Sequence, residues 1–245
     1  MTYKQNRSHR PWKIVAGCCC IQGSVLGLLV NCRGLFFEPV CADLGFNIGG
    51  FTAYGLFYGL ACVIAIPTAA KVLERYDLRV TLTLSSVFMA LVQALFGSFT
   101  RQWHWYAAAA LQGMASAFLF SLTTPLLINN WFTQKRGMML AITGMSSGAV
   151  AAIMNPIGSM VIEQLGWRAG YCFFGLLFLL MTLPATIFWL RLRPRTAEPP
   201  SGGSSLSGFQ GNVWRTIRQP GFLLLIVITG VANLLTCYSQ MLSSY

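Results

Sequence analysis

Acidic side chains are scarce in this chain: six in 245 residues, with charged residues of both signs making up only 9%. An ordinary soluble domain carries roughly 25% charged residues, because it needs polar groups to cover a water-facing surface. The deficit here runs along the whole length, so most of the surface faces lipid. The placement of the few acids excludes more. Glu38, Asp43, Glu74, Asp77, Glu163 and Glu198 lie in loops or at the edges of apolar stretches, while His9 lies in the tail and His104 at a helix start. An enzyme working within a bilayer needs acid, base or metal-ligand groups there. The apolar stretches hold no His, Asp or Glu, so no catalytic residue, metal site or cofactor is expected.

What the chain has in quantity is apolar length, with 55% hydrophobic residues. A bilayer core of about 30 Å needs roughly 20 apolar residues per helical crossing. Stretches of that kind run over 14–36, 51–70, 80–98, 105–128, 138–162, 170–190 and 221–241. They are continuously apolar, not alternating as barrel strands are, so their backbone polar groups must be satisfied within helices. The expected fold is an all-α membrane protein: a six-helix N-terminal bundle plus a seventh transmembrane helix. A tail covers 1–13, the bundle 14–190, a linker 191–220 and the last helix 221–245. The linker contains the Pro-, Gly- and Ser-rich run 196–211. The first stretch is too long for a signal peptide and lacks a convincing cleavage site.

The net charge of +11 orients the helices. Basic residues favour the cytoplasmic side of short loops. With the N-terminus inside, the cytoplasmic segments hold every one of the 17 basic residues except Arg33, Arg101 and Arg168. No soluble domain gathers these charges, so nucleic acid is not an expected partner. The tryptophans fall at or near expected helix ends, where indole favours the headgroup zone. Most of the eight cysteines fall within apolar stretches as small hydrophobes, with Cys41 expected in an outer loop.

Local motifs carry a resemblance. The loop after the second helix reads Ala70-Lys71-Val72-Leu73-Glu74-Arg75-Tyr76-Asp77-Leu78-Arg79. It resembles the signature G-x-x-x-D-R-x-G-R-R of the major facilitator superfamily, with Glu74, Arg75 and Arg79 in matching places. Three further runs are similar to the oxalate/formate antiporter and monocarboxylate transporter branch. They are Trp131-Phe132-Thr133-Gln134-Lys135-Arg136-Gly137, Gly166-Trp167-Arg168, and Gly34-Leu35-Phe36-Phe37-Glu38-Pro39-Val40. The resemblance implies two six-helix halves that rock about a midplane site. On that pattern the chain is expected to be a fragment that needs a C-terminal half for transport. It implies secondary active transport of a small organic anion, a mono- or dicarboxylate, by antiport or proton symport, in a plasma membrane of bacterial inner-membrane type. A major facilitator transporter of a non-anionic solute remains an alternative. A seven-helix receptor is a weaker one, because its N-terminus would lie outside and the last helix lacks a lysine for retinal.

Polar residues at helical spacing mark candidate cavity linings. Gln22 and Arg33 are eleven residues apart, about 20° off one face at 100° per residue. Two readings are open for Arg33: it binds a substrate carboxylate, or it snorkels to the outer interface. Tyr54 and Tyr58 are one turn apart and either meet a ligand or pack against the first helix. Gln112, Ser116 and Thr123 share a face of the fourth helix, and Asn233 belongs to the seventh. In the fifth helix Gly144, Gly148 and Asn155 share a face. The two glycines are expected to let it approach the first helix closely, and Pro156 is expected to bend it. Glu74, Arg75 and Arg79 would latch an inward gate or retain the loop inside.

Overall fold

The computed structural model describes residues 10–132 and 135–189. Among these residues the regular structure is entirely helical. Five helices are long and apolar enough to cross a membrane: Trp12–Leu44, Ile48–Leu73, Leu78–Ser98, Gln102–Trp131 and Arg136–Ile187. The expected linker and seventh helix lie outside the described residues, as do Asn233 and the Glu74 side chain.

The first span is the least regular. Helix α1 (Arg10–Gln22) gives way to a π-helical stretch, Gly23–Val30, then a tight 3₁₀ stretch, Asn31–Phe36, before α2 (Phe37–Leu44) restores the ordinary pitch. Gly45 closes α2 in the left-handed conformation, at φ 66°, with its N–H bonded to the Cys41 carbonyl. The helix therefore runs past its expected end at 36. Pro39 does not stop it, because a proline in a first helical turn sacrifices no intrahelical bond. Cys41, expected in a loop, is buried on this extension.

A short helix, α3 (Ile48–Thr52), leads into α4 (Tyr54–Arg75), and together they form the second span. Leu56, Leu60, Val63 and Ile64 of α4 are exposed, as a lipid-facing surface requires. The third span is α5 (Leu78–Leu95) with a closing 3₁₀ turn. The fourth joins α6 (Gln102–Ser116) to α7 (Thr123–Trp131) through a second π-helical stretch, Ala117–Ser121.

The fifth span, α8 (Arg136–Pro184) and the π-helical turn after it, is not one rod. Gly166 has φ 82° and ψ 161°, outside the helical region. A Cβ placed on Gly158 would lie 2.7 Å from the Phe174 ring, and one on Gly170 would lie 3.0 Å from Ile162. In a continuous helix, sixteen residues would separate Gly158 from Phe174 by about 24 Å. The chain thus folds back at Gly166 into an antiparallel hairpin. Pro156 causes no such break, since Gly166 is the one non-helical position within α8.

Lipid tails are as apolar as leucine, so close packing rather than exclusion of water holds such helices together. Gly113 of α6 abuts the Tyr58 carbonyl of α4, leaving no room for a side chain. The first and fifth spans approach as expected, but through different glycines. A Cβ on Gly27 would come 2.6 Å from the Ser147 carbonyl, and one on Gly23 would come 2.8 Å from Val150. Gly144 and Gly148 have open space at that position and are exposed. The correction follows from helix phase: the face carrying Ser146, Ser147 and Val150 meets the first span, and the two glycines lie beside it.

At the end of the bundle holding Gly166, aromatic rings replace the expected interface anchors. Trp105 is fully buried and Trp167 nearly so. Trp105 stacks on Phe96 with centroids 5.1 Å apart and meets Phe51 edge-on at 4.9 Å. Trp12 and Trp103 remain exposed, as membrane-interface residues would be.

Candidate functional site

The change of pitch in the first span sets the position of Arg33. It lies within the 3₁₀ stretch, with α2 adding a further eight residues beyond Phe36. Arg33 is half-buried, and its guanidinium turns toward the neighbouring helices of the bundle. Its Nε donates to the Leu29 carbonyl at 2.9 Å, and its Nη2 donates to Gln112 Oε1 at 3.3 Å.

Two tyrosines complete the setting. The guanidinium carbon lies 4.2 Å from the Tyr58 ring centroid and 5.3 Å from that of Tyr54. Both distances fall within cation–π range, and such contacts strengthen where water is excluded. The one-turn spacing read from the sequence thus holds a cation between two rings. The tyrosines act on Arg33 through their faces, not through their hydroxyls.

Gln112 also links Arg33 to a third helix. Its Nε2 donates to Gln93 Oε1 at 2.8 Å, and both amides are buried. A small cavity of about 10 Å³, room for about one water molecule, is lined by Arg33, Tyr54, Gln93, Gln112 and Tyr171 among polar side chains. Leu28, Leu29, Cys32, Phe36 and Phe96 supply its apolar wall. The Tyr171 hydroxyl is buried with no hydrogen-bond partner among the described residues. Arginine has five N–H donors, and two are used here. Among the described residues no Asp or Glu pairs with Arg33; the ion pair between Arg168 and Asp43 belongs to the hairpin turn.

Of the expected lining residues, Arg33, Tyr54, Tyr58 and Gln112 come together. Ser116 and Thr123 do not line the cavity: their hydroxyls donate to the carbonyls of Gly113 and Phe118, both at 2.6 Å, and so serve their own helix. Gln22 is also apart from it, with its Oε1 buried and unpartnered among the described residues. Asn155 lies elsewhere on α8, where its carbonyl accepts from Ser159 at 3.2 Å. Gln93 and Tyr171 were missed by sequence reasoning. A solitary glutamine in the apolar third span was a usable signal, since an amide in lipid needs a partner; Tyr171 gave none.

In the signature-like loop, Arg75 is in the last turn of α4 and Arg79 in the first turn of α5. Asp77 between them is the extended residue before α5, and its carbonyl accepts from the Thr81 hydroxyl at 3.2 Å. The Gly166-Trp167-Arg168 motif forms the hairpin turn. Its Trp167 Nε1 donates to Asp43 Oδ2 at 3.1 Å, and Arg168 stacks over the indole at 4.6 Å.

The sequence profile described as Major Facilitator Superfamily matches residues 19–245. The chain belongs to that superfamily. Among its relatives, monocarboxylate transporter 4 of Rattus norvegicus is 22% identical over 90% of this chain and 47% of its own length. A putative glycerol-3-phosphate transporter 2 of Arabidopsis thaliana is 32% identical over 54% of this chain and 27% of its own. The multidrug export protein EmrB of Haemophilus influenzae is 31% identical over 55% and 26%. The chain thus spans about half the length, or less, of the curated relatives it matches. Superfamily membership and the long apolar helices make it a multi-pass membrane protein of a transporter family.

Proposed function

We propose that this chain contributes the N-terminal six-helix bundle and the start of a second bundle to a secondary active transporter of a small organic anion. In this reading Arg33 is the anion-binding group. The observation that carries it is the state of Arg33: a guanidinium inside the bundle, held by a carbonyl, an amide oxygen and two aromatic faces. A cation inside a membrane domain costs at least about 2.5 kcal/mol at a helix centre and is usually kept for function. Neutral partners orient it without cancelling its charge. A carboxylate entering beside Gln93 and Tyr171 would supply the missing countercharge, with bidentate geometry open to the free donors.

The names of the relatives favour the same class in part, since a monocarboxylate and a glycerol phosphate are both small organic anions. A cationic drug, by contrast, would be repelled by Arg33. Substrate would enter by alternating access, as antiport or in symport with protons. The chain would lie in the plasma membrane with its N-terminus in the cytoplasm, and Glu74, Arg75 and Arg79 would stabilise the closed inner face.

The test is uptake of labelled formate, lactate, oxalate and glycerol phosphate by vesicles holding the complete protein. Accumulation of one anion, with Arg33→Gln weakening it at least ten-fold, supports the assignment. Unchanged affinity in Arg33→Gln removes Arg33 from the site, and failure to take up or bind any of the anions removes the anion proposal.

A further inference from the structure

Gln112 and Gln93 form a chain whose direction is fixed by chemistry. Arginine has no acceptor atoms, so the Gln112 atom facing Arg33 Nη2 has to be the amide oxygen. Its Nε2 then faces Gln93 and donates, so the Gln93 atom receiving that bond has to be the oxygen. The orientation of both amides, often arbitrary in a structure, is here determined by a group that only donates. The end left over is Gln93 Nε2, which has no hydrogen-bond partner among the described residues. Gln93 is 5% exposed and lines the same cavity as Arg33.

We infer that Gln93 is a specificity-determining residue that gives its Nε2–H to the anion held by Arg33, with Gln112 locking it donor-end forward. This inference rests on the anion reading above and adds to it. The guanidinium supplies charge, and the third span supplies a directed neutral donor that would otherwise be free to turn its oxygen toward the anion. The amide relay does this without placing a carboxylate beside Arg33, which would occupy the guanidinium itself. An anion with a free oxygen beside its first contact to Arg33 satisfies both groups. A neutral isostere such as the corresponding amide offers the Arg33 site no charge.

The experiment measures KM and maximal rate for formate, lactate and oxalate in proteoliposomes of the complete protein, at pH 7.5 and pH 5, against wild type at the same pH. Lactamide serves as the uncharged competitor. Gln93→Leu removes the donor and is expected to raise KM about ten-fold or more, the usual worth of a hydrogen bond to a charged group, at both pH values. Gln93→Glu is the discriminating variant. When ionised, the new carboxyl repels the anion, so KM rises strongly at pH 7.5. When protonated, it resembles the amide, with a carbonyl for Gln112 and an O–H for the anion. Burial favours that protonated form and the Arg33 guanidinium in the same cavity opposes it, so the ratio to wild type is expected to fall between pH 7.5 and pH 5.

A wild-type KM in Gln93→Glu at pH 7.5 means that no group at this position meets the anion, and overturns the inference. So does a wild-type KM in Gln93→Leu. If Arg33→Gln is also without effect, or if lactamide competes as well as lactate, the anion reading itself has failed and this inference fails with it. A defect in Arg33→Gln beside normal Gln93 variants sinks the donor role alone. Retention of the wild-type size-exclusion profile is required of each variant, and Gln93→Asn provides a second, smaller amide where Gln93→Leu does not fold.

Discussion

Gly27 and Ser147 stand so close that a Cβ on the glycine would come 2.6 Å from the serine carbonyl oxygen and 3.0 Å from Val150. Backbone cannot yield as a flexible side chain can, so the first and fifth spans would have to separate. Gly27→Ala is therefore expected to destabilise the bundle by about 1–3 kcal/mol, the range for overpacking a close-packed interior. Gly144→Ala and Gly148→Ala, where the space is open, are expected to be neutral or slightly stabilising through helix propensity. Thermal unfolding in detergent distinguishes the two sets. Equal losses at Gly27 and Gly148 would place the contact on the wrong face of the fifth span.

Tyr58 and Arg33 give a second prediction, in which ring and hydroxyl are separable. The guanidinium carbon lies over the ring at 4.2 Å, so Tyr58→Phe keeps the contact and is expected to leave anion affinity within about two-fold. Tyr58→Leu removes the π face and is expected to weaken binding by about 0.5–2 kcal/mol, as cation–π contacts are worth. Arg33→Lys keeps the charge but loses the planar fork that meets Leu29, Gln112 and the rings together. It should behave more like Arg33→Gln than like wild type. Anion titrations of the purified variants decide this, and a strong defect in Tyr58→Phe would return the role to the hydroxyl.

The span boundaries were legible in the sequence because lipid demands long apolar runs whatever the tertiary packing. The runs read at 80–98 and 105–128 lie within spans of Leu78–Ser98 and Gln102–Trp131. Helix ends made by less apolar residues were not legible. The first span continues through Glu38 and Pro39 because an acid and a proline are both tolerated in the first turn of α2. The face on which a residue lies was legible only where spacing stayed regular. The π-helical and 3₁₀ stretches shift the phase after Gly23, and eleven residues span about 16 Å along a helix, so a cavity the size of one water takes in Arg33 and not Gln22. Trp105 was read as an interface residue from its position at a helix start, yet neighbours distant in sequence, Phe51, Phe96 and Tyr171, enclose it.

Asp43 ties the end of the first span to the hairpin turn in two ways of unequal weight. Its salt bridge with Arg168 is 3.5 Å long between half-exposed side chains, and exposed pairs contribute about 0–1 kcal/mol. The bond from Trp167 Nε1, at 3.1 Å, serves a buried indole. Asp43→Asn keeps an acceptor for the indole and is expected to shift unfolding little, with reduced salt dependence. Asp43→Leu leaves the indole N–H unpaired and should cost about 1–3 kcal/mol. Similar losses in both, abolished by high salt, would assign the tie to charge instead.

Orientation can be checked at two positions that the fold places at opposite ends of helices. Lys135 precedes α8 and follows the fourth span, and Asn47 lies in the turn between the first and second spans. Between Asn47 and Lys135 the chain passes through three spans, an odd number, so the two residues must emerge on opposite sides. The basic residues Lys71, Arg75, Arg79, Lys135 and Arg136 all fall at the Lys135 end, which the positive-inside tendency assigns to the cytoplasm. A membrane-impermeant thiol reagent applied to intact cells should therefore label Asn47→Cys above the parent chain and leave Lys135→Cys at the parent level. Opening the cells should expose Lys135→Cys. The reverse pattern would invert the bundle, with the signature-like loop outside. Labelling of both in intact cells would contradict the three-span connection itself, because no odd number of crossings returns the chain to the side it left.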